Sequence, residues 1–237
     1  MAQVMKASKI DLSKISLSEP TKGGSGRPQF VFANYDGRNN LFVQSPKVDV
    51  KWDSNYYADD ETGGKYNVEF ALPGVGSNDS ITDFHDKMVE FDTFMIDNAF
   101  KNRASWFKGG AKLSRETIET LYTPMVKLSK DSETGEPDGK WPPSFKFKIK
   151  KKEGKHECSV YDTKKVPYNI DDKDGSDYVD LTTVLVKGST MNVILKCAFV
   201  WIASNKFGVS WYAQQVMVTT KPSDALSGCA FIADDDD

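Results

Sequence analysis

The sequence predicts a mainly β protein, a barrel or a sandwich, with helices inserted between two groups of strands. Apolar residues alternate with polar ones before residue 72 and again after residue 144, which is the period of a strand. Between these blocks they recur every three or four residues, which is the period of a helix. Strands, then a helical pair, then more strands predict a β architecture with helices packed on one side.

The first group of strands covers residues 30–35, 41–52 and 65–72, separated by turns at 36–37 and 59–64. Pro46 inside the second stretch predicts an edge strand or a bulge, because proline cannot donate to a ladder. The preceding residues 1–26 are polar and end in TKGGSGRP, so we expect a flexible N-terminal arm with a hinge at Gly23–Gly26.

The helical pair occupies an insertion at about 79–122. Asn78, Asp79 or Ser80 can cap the first helix, and Gly109 and Gly110 end that segment. A shorter second helix is expected from Ser114 to Tyr122, before Pro124. The first helix, over residues 80–107, places one apolar face at Ile81, Phe84, Met88, Phe91, Met95 and Ala99.

The second group of strands is predicted at 144–152, 179–186, 189–203 and 206–220. The last two are long, and Ser204 and Asn205 between them predict a tight hairpin. At 237 residues the chain fits one large domain or two small ones, and we assign 27–222 to a single domain.

Charge is concentrated at the end of the chain, in the four residues Asp234, Asp235, Asp236 and Asp237. The formal net charge is −3 with these aspartates and therefore +1 without them. Self-repelling charges do not pack, so residues 223–237 are predicted to form a disordered acidic tail.

The cellular location is predicted from cysteines and from missing targeting signals. Three cysteines without regular spacing favour a reducing compartment. We find no secretory signal and no apolar run long enough for a membrane span. We therefore expect an intracellular protein, in the cytoplasm of an infected cell if a virus encodes it.

Motifs for catalysis are missing from the sequence. It contains no G-x-S-x-G, no phosphate-binding glycine–lysine loop and no H-E-x-x-H. His156 and Cys158 are one ligand pair, whereas structural zinc needs four ligands. The acidic clusters at 59–61 and 171–177 lie in turn-like segments, which favours solvated carboxylates. We therefore expect no enzyme, no metal and no cofactor.

The strongest local signal is the segment KWPPSFKFKIKKK at 140–152. In an extended strand Phe145, Phe147 and Ile149 point to one face, whereas Lys146, Lys148 and Lys150 point to the other. One interpretation is an edge strand that uses lysines against aggregation. The other interpretation is a binding site for a polyanion. Successive lysines on this face are about 7 Å apart, which is close to the spacing of phosphates in an extended single strand.

Aromatic residues near other basic residues favour the second interpretation, because bases stack on rings while ammonium groups follow the phosphates. In the last strand we expect Trp211 in the core and Tyr212 facing outward. Besides the three lysines above, the candidate contacts are Lys151, Trp141, Tyr212, Lys206, Phe207, Trp52, Lys51, Arg103 and Trp106.

The last hairpin has Gly188-Ser189 before its first long strand and Gly208-Val209-Ser210 with Val216 in its second, and the chain ends in acidic residues. In these features it resembles the replicative single-stranded-DNA-binding proteins of phages and large DNA viruses. The resemblance implies an OB-fold-like five-stranded barrel with additional strands and a long helix. Family tails often end in an aromatic residue, whereas here Phe231 precedes the acids.

The resemblance also implies sequence-independent binding of single-stranded DNA in replication, recombination and repair. It implies a regulatory tail that covers the DNA groove and, once displaced, contacts a polymerase or helicase; its residues are Phe231, Asp234, Asp235, Asp236 and Asp237. A homodimer is compatible with this interpretation, and no membrane partner is expected. The alternative is a non-catalytic virion β-sandwich protein, and a metal-dependent nuclease is a third.

Overall fold

The computed structural model describes residues 3–21, 28–37, 40–58, 63–204 and 206–220. The strands before the long helix are β1 Val4–Lys6, β2 Ile15–Leu17, β3 Gln29–Val31, β4 Ala33–Tyr35, β5 Phe42–Gln44, β6 Val48–Val50, β7 Asn55–Tyr57 and β8 Lys65–Ala71. The helices are α1 Asp79–Lys101, α2 Arg103–Trp106, α3 Arg115–Leu121 and, later in the chain, α4 Leu181–Val184. The remaining strands are β9 Tyr122–Thr123, β10 Val126–Lys127, β11 Ser144–Lys152, β12 Lys155–His156, β13 Ser159–Tyr161, β14 Thr190–Ala203 and β15 Lys206–Thr220.

Five of these strands pair in a closed cycle. β6 pairs with β8, β8 with β11, and β14 with both β15 and β6, all antiparallel, whereas β11 pairs with β15 in parallel. A ring of five strands with short closing ladders is the arrangement of an OB-fold, a partly open five-stranded barrel. The prediction of a mainly β, OB-fold-like protein with additional strands and a long helix is confirmed.

The core fills the ring and continues under α1. Phe145, Phe147 and Ile149 of β11 are buried, as the alternation of that strand predicts. Helix α1 closes one end of the ring, because the Phe84 ring lies 5.4 Å from Phe145 and the Phe91 ring lies 5.9 Å from Trp211. The predicted apolar face of the helix is buried at all of its positions, namely Ile81, Phe84, Met88, Phe91, Met95 and Ala99.

The helix ends follow from local capping. The Asn78 side chain accepts a hydrogen bond from the backbone N–H of Ile81, and Ser114 accepts one from Thr117. Buried Asp92 ties α1 to the chain after α3, because its Oδ1 accepts from the Tyr122 hydroxyl at 2.6 Å and from the Met125 N–H at 3.0 Å. Burial raises the pKa of Asp92 to about 6 despite these hydrogen bonds, since a charged carboxylate loses its hydration there.

Two predicted segments differ in the structure. Residues 3–21 do not form a loose arm: β1 pairs in parallel with β5, and Ala7, Ile10 and Leu12 are buried against the body. The few apolar residues of this mostly polar segment therefore pack into the core and hold the segment against the body. Residues 179–186 do not form a strand but contain α4, because the Asp180 side chain caps it by accepting from the Thr182 N–H at 2.8 Å.

The remaining predictions concern Pro46, the glycine hinge, the acidic tail and membrane spans. Residues 41–52 were predicted as one stretch with an edge strand or a bulge at Pro46, whereas the structure divides them into β5 and β6, each of which pairs with two neighbouring strands. The hinge at Gly23–Gly26 and the tail at 223–237 lie outside the described residues. Within the described ranges we found no helix that is long and apolar enough to cross a membrane.

Candidate nucleic-acid interface

Lysines converge on the outer face of β8 and β11. The register places Lys150 opposite Lys65, and two residues further along, Lys148 opposite Asn67. Side chains that are paired across an antiparallel ladder project to the same face, so Lys65 joins the row predicted from β11. We call Lys65, Lys146, Lys148 and Lys150 the lysine strip.

Lys148 is the most confined member of the strip. It is half-buried, and its Nζ donates a hydrogen bond to the Ser210 hydroxyl at 3.3 Å. Burial, followed by the charges of Lys65, Lys146 and Lys150, lowers the pKa of Lys148 from 10.5 to about 8. The strip therefore holds like charges close enough to repel one another, and a bound anion relieves that repulsion.

Aromatic side chains continue the same face on the neighbouring strands. Tyr212 of β15 is the register partner of Lys148, and the Lys150 ammonium lies 4.3 Å from the centre of its ring. The Phe199 ring of β14 lies 5.8 Å from Tyr212, and the Phe30 ring of β3 lies 4.7 Å from Phe199. Burial raises the pKa of Tyr212 to about 12, so its phenol stays neutral beside the strip.

These rings line a groove of about 550 Å³, which we call the aromatic groove. Two cations, Lys150 and Lys196, stand in its wall, and the Glu157 carboxylate lies 4.0 Å from the Lys150 ammonium. The remaining lining residues are Phe30, Phe32, Asn40, Ala198, Phe199, Tyr212, Ala213 and Gln214. Flat rings beside ammonium groups can stack bases and neutralise phosphates at the same time.

Two exposed tryptophans stand near the beginning of β11. Trp141, which precedes that strand, is 60% exposed, and Trp52 is 55% exposed. The Lys51 ammonium lies 5.7 Å from the Trp52 ring and 3.4 Å from the Ser144 hydroxyl at the first residue of β11. A second ammonium, that of Lys187, lies 5.6 Å from the same ring. Trp52 thus combines an exposed ring with two nearby cations.

Two candidate aromatic contacts belong to the core instead. Phe207 is fully buried and Trp106 is 3% exposed, with their rings 6.3 Å apart. Alternation on β15 places Phe207 on the face of Trp211, which is buried as predicted, whereas Tyr212 faces outward. The prediction that Phe207 and Trp106 contact DNA is therefore wrong, because both rings fill the space between α2 and the ring of strands.

The remaining candidates within the described residues stand apart from the strip. Lys151 shares the parity of the buried residues of β11, and its ammonium lies 5.9 Å from the Tyr56 ring. Arg103 donates to the Phe100 carbonyl at 2.8 Å and lies over the Phe100 ring. Lys206 is exposed at the first residue of β15.

The predicted regulatory tail lies beyond the part of the chain that the structure describes. Its five residues, all outside the described ranges, are Phe231, Asp234, Asp235, Asp236 and Asp237. Their contact with the lysine strip therefore stays a prediction.

Sequence reasoning missed several residues of this face. Phe30 and Phe32 alternate with buried Val31 and Ala33, so the alternation could have assigned them outward. Phe199 gives no such signal: simple alternation from buried Cys197 points it inward. A bulge between Cys197 and Phe199 reverses that direction, because it shifts the register of β14 against β15. The others missed are Lys65 and Lys196.

The fold matches solved structures over most of the chain. Gp2.5, a single-stranded DNA binding protein encoded by bacteriophage T7, is 16% identical with a TM-score of 0.47, over 82% of this chain and 100% of that one. The single-stranded DNA-binding protein of bacteriophage Enc34 in complex with ssDNA is 12% identical with a TM-score of 0.44, over 88% and 98% of the two chains. A further structure of that Enc34 protein is 12% identical to this chain with a TM-score of 0.43, and the match covers 92% of this chain and 96% of that one.

This chain resembles phage single-stranded-DNA-binding proteins. The resemblance noted in the last hairpin is thus confirmed as a structural match over most of the chain. No protein-family model matches the sequence, and no curated protein matches it. At these levels of similarity the match concerns the arrangement of strands, so a function has to be argued from the side chains of the interface.

Proposed function

We propose that this protein binds single-stranded DNA without sequence preference and without catalysis. The observation that carries the proposal is the lysine strip running beside the aromatic groove on one face of the ring. In an OB-fold the face of the second and third strands of the barrel binds oligonucleotides, and here those strands are β8 and β11. Phosphates contact the strip, and unpaired bases stack on Tyr212 and Phe199.

Each part of the interface contributes a different property. Lysines two residues apart on β11 lie about 7 Å from each other, close to the spacing of phosphates in an extended strand. Rings accept any base, because every base has a stacking face, so the binding is insensitive to sequence. A duplex keeps its bases stacked inside and cannot fill the aromatic groove, so single strands are preferred.

A fluorescence titration with an oligo-dT strand and with a duplex of equal length tests the proposal. At roughly 0.05 and 0.3 M salt we expect tight and weakened binding of the single strand respectively, because counterion release drives the association. Equal affinity for the duplex, or binding that does not respond to salt, would overturn the proposal.

A triple variant assigns the binding to the strip. Lys146→Ala, Lys148→Ala and Lys150→Ala together remove three phosphate contacts and reduce the slope of log affinity against log salt by about 2. The matched control replaces three exposed lysines elsewhere, Lys14, Lys101 and Lys112, with alanine. A similar loss in both variants would mean that overall charge, not the strip, determines affinity.

The acidic tail is part of the same proposal. We infer that Asp234, Asp235, Asp236 and Asp237 compete with DNA phosphates for the strip and, when displaced, contact a polymerase or helicase during replication, recombination and repair. Deletion of residues 234–237 is expected to tighten binding of oligo-dT, most strongly at low salt where charge interactions are least screened. An unchanged affinity at low salt would reject the competition.

A further inference from the structure

An apolar groove of about 390 Å³ lies on the outer face of the sheet beyond the aromatic groove. The groove lies across the neighbouring strands β13, β15, β14 and β5. Paired residues at its centre are Tyr161 with Met217, Met217 with Asn192, and Ile194 with both Gln215 and Gln44. The side chains of Tyr161, Ile194 and Met217 are half-buried there. Its full lining is Gln44, Tyr161, Lys165, Asn192, Val193, Ile194, Gln215, Val216 and Met217.

The apolar groove is continuous with the aromatic groove along the same two strands. On β14, Ile194 of the apolar groove precedes Lys196 of the aromatic groove by two residues, which corresponds to a distance of about 7 Å. On β15, Gln215 of the apolar groove directly follows Gln214 of the aromatic groove. A peptide seated in the apolar groove therefore has its next few residues beside the cations of the DNA site.

We propose that the apolar groove holds Phe231 and Ile232 of the same chain. This rests on the proposed competition between the tail and DNA, and it adds an anchor for the tail. Strand β15 ends at Thr220, only three residues after Met217 in the groove. A flexible chain of ten residues, the length of segment 221–230, has a root-mean-square span of about 18 Å, which is enough to turn back to the groove.

The order of residues in the tail suits this placement. Phe231 and Ile232 are the large apolar residues next to the acids, and only Ala233 separates Ile232 from Asp234. At about 3.3 Å per residue, the four aspartates extend about 7 to 17 Å from the anchor and so reach Lys196. Anchoring raises the effective concentration of the aspartates at the strip, so four carboxylates compete with a polyanion.

Methyl NMR of the full chain, with labelled isoleucine and methionine, tests the anchor directly. The double variant Phe231→Ala, Ile232→Ala is expected to shift the methyl resonances of Ile194 and Met217, because a ring leaves their surroundings. Leu226→Ala in the same tail is the matched control and is expected to leave both resonances unchanged. Identical resonances in the wild type and the double variant overturn the proposal.

The concentration dependence of these resonances identifies the chain that fills the groove. Docking within one chain does not depend on protein concentration. Shifts that grow with concentration, together with a dimer in sedimentation, would assign the groove to a second copy and overturn the intramolecular anchor.

Affinity for oligo-dT separates the anchor from the competition. The double variant keeps all four aspartates, yet it is expected to bind roughly fivefold more tightly because the local concentration of the tail falls. Replacing the four aspartates by asparagine is expected to tighten binding while the Ile194 and Met217 resonances stay in place. If affinity responds to the aspartates but not to the double variant, the anchor fails and the competition stands. If the resonances respond but no tail variant changes affinity, the competition fails and the docking stands.

Discussion

Binding of single-stranded DNA should depend on pH through Lys148. Burial and the neighbouring lysines lower the pKa of this ammonium to about 8, so in the free protein it loses its proton as the pH rises through that value. A phosphate beside Nζ favours the charged form and restores the pKa toward its ordinary value of 10.5. Binding is then coupled to proton uptake, and the affinity falls as the pH rises above about 8.

The size of the effect follows from these two pKa values. At about pH 7 Lys148 is mostly charged in both states, so almost no proton is taken up on binding. At about pH 9 it is mostly neutral in the free protein but charged in the complex, so binding includes the cost of protonation. The dissociation constant should therefore rise about tenfold between pH 7 and 9.

Two substitutions isolate this contribution. Lys148→Arg keeps a permanent charge, since a guanidinium stays protonated in proteins, and is expected to retain most of its affinity at high pH. Lys148→Met is expected to bind weakly at both pH values. Anisotropy titrations with oligo-dA suit the measurement, because adenine has no group that titrates in this range. An equal decline with pH in the wild type and Lys148→Arg would refute the assignment to Lys148.

Three further predictions concern the aromatic groove, the core and the buried carboxylate. Tyr212→Ala should lower the affinity for oligo-dT by about 1–3 kcal/mol through lost stacking, measured by titration, with little change in urea unfolding. A large loss of stability in Tyr212→Ala would show that the ring is structural. Trp106→Ala should instead lower the free energy of unfolding by about 3–5 kcal/mol, because it empties a packed site between α2 and the ring; a stable variant with weak DNA binding would return Trp106 to the interface. The pKa of Asp92 is raised in the folded state, so acidification through about pH 6 protonates that state first and adds stability relative to Asp92→Asn. Urea unfolding at about pH 7 and pH 4.5 should show a relative gain of about 2 kcal/mol for the wild type, and a constant difference between the two proteins would contradict it.

Some features of the interface could be predicted from local patterns. On β11 the alternation of phenylalanine and lysine assigns both faces, because successive side chains of any strand point to opposite sides. The apolar face of α1 and its capping by Asn78 are equally local, since they depend on spacing within one helix. The acidic cluster at the end of the chain is likewise evident without any structure.

Other features depend on which distant segments meet, and local patterns do not contain that information. The candidate rings Trp106 and Phe207 look alike in sequence to Tyr212, but packing of α2 on the ring buries the first two. Lys65 joins the lysine strip only because the register of β8 against β11 sets it opposite Lys150.

The sequence by itself determined the class of the fold, the two faces of β11 and the row of lysines on one of them, because these depend on residue type and on the period of one element. Only the tertiary structure decided which aromatic rings stand beside the lysines. The bulge that turns Phe199 outward and the closure of five strands into a ring are properties of pairing between distant segments, and their energies depend on contacts that no single segment makes alone.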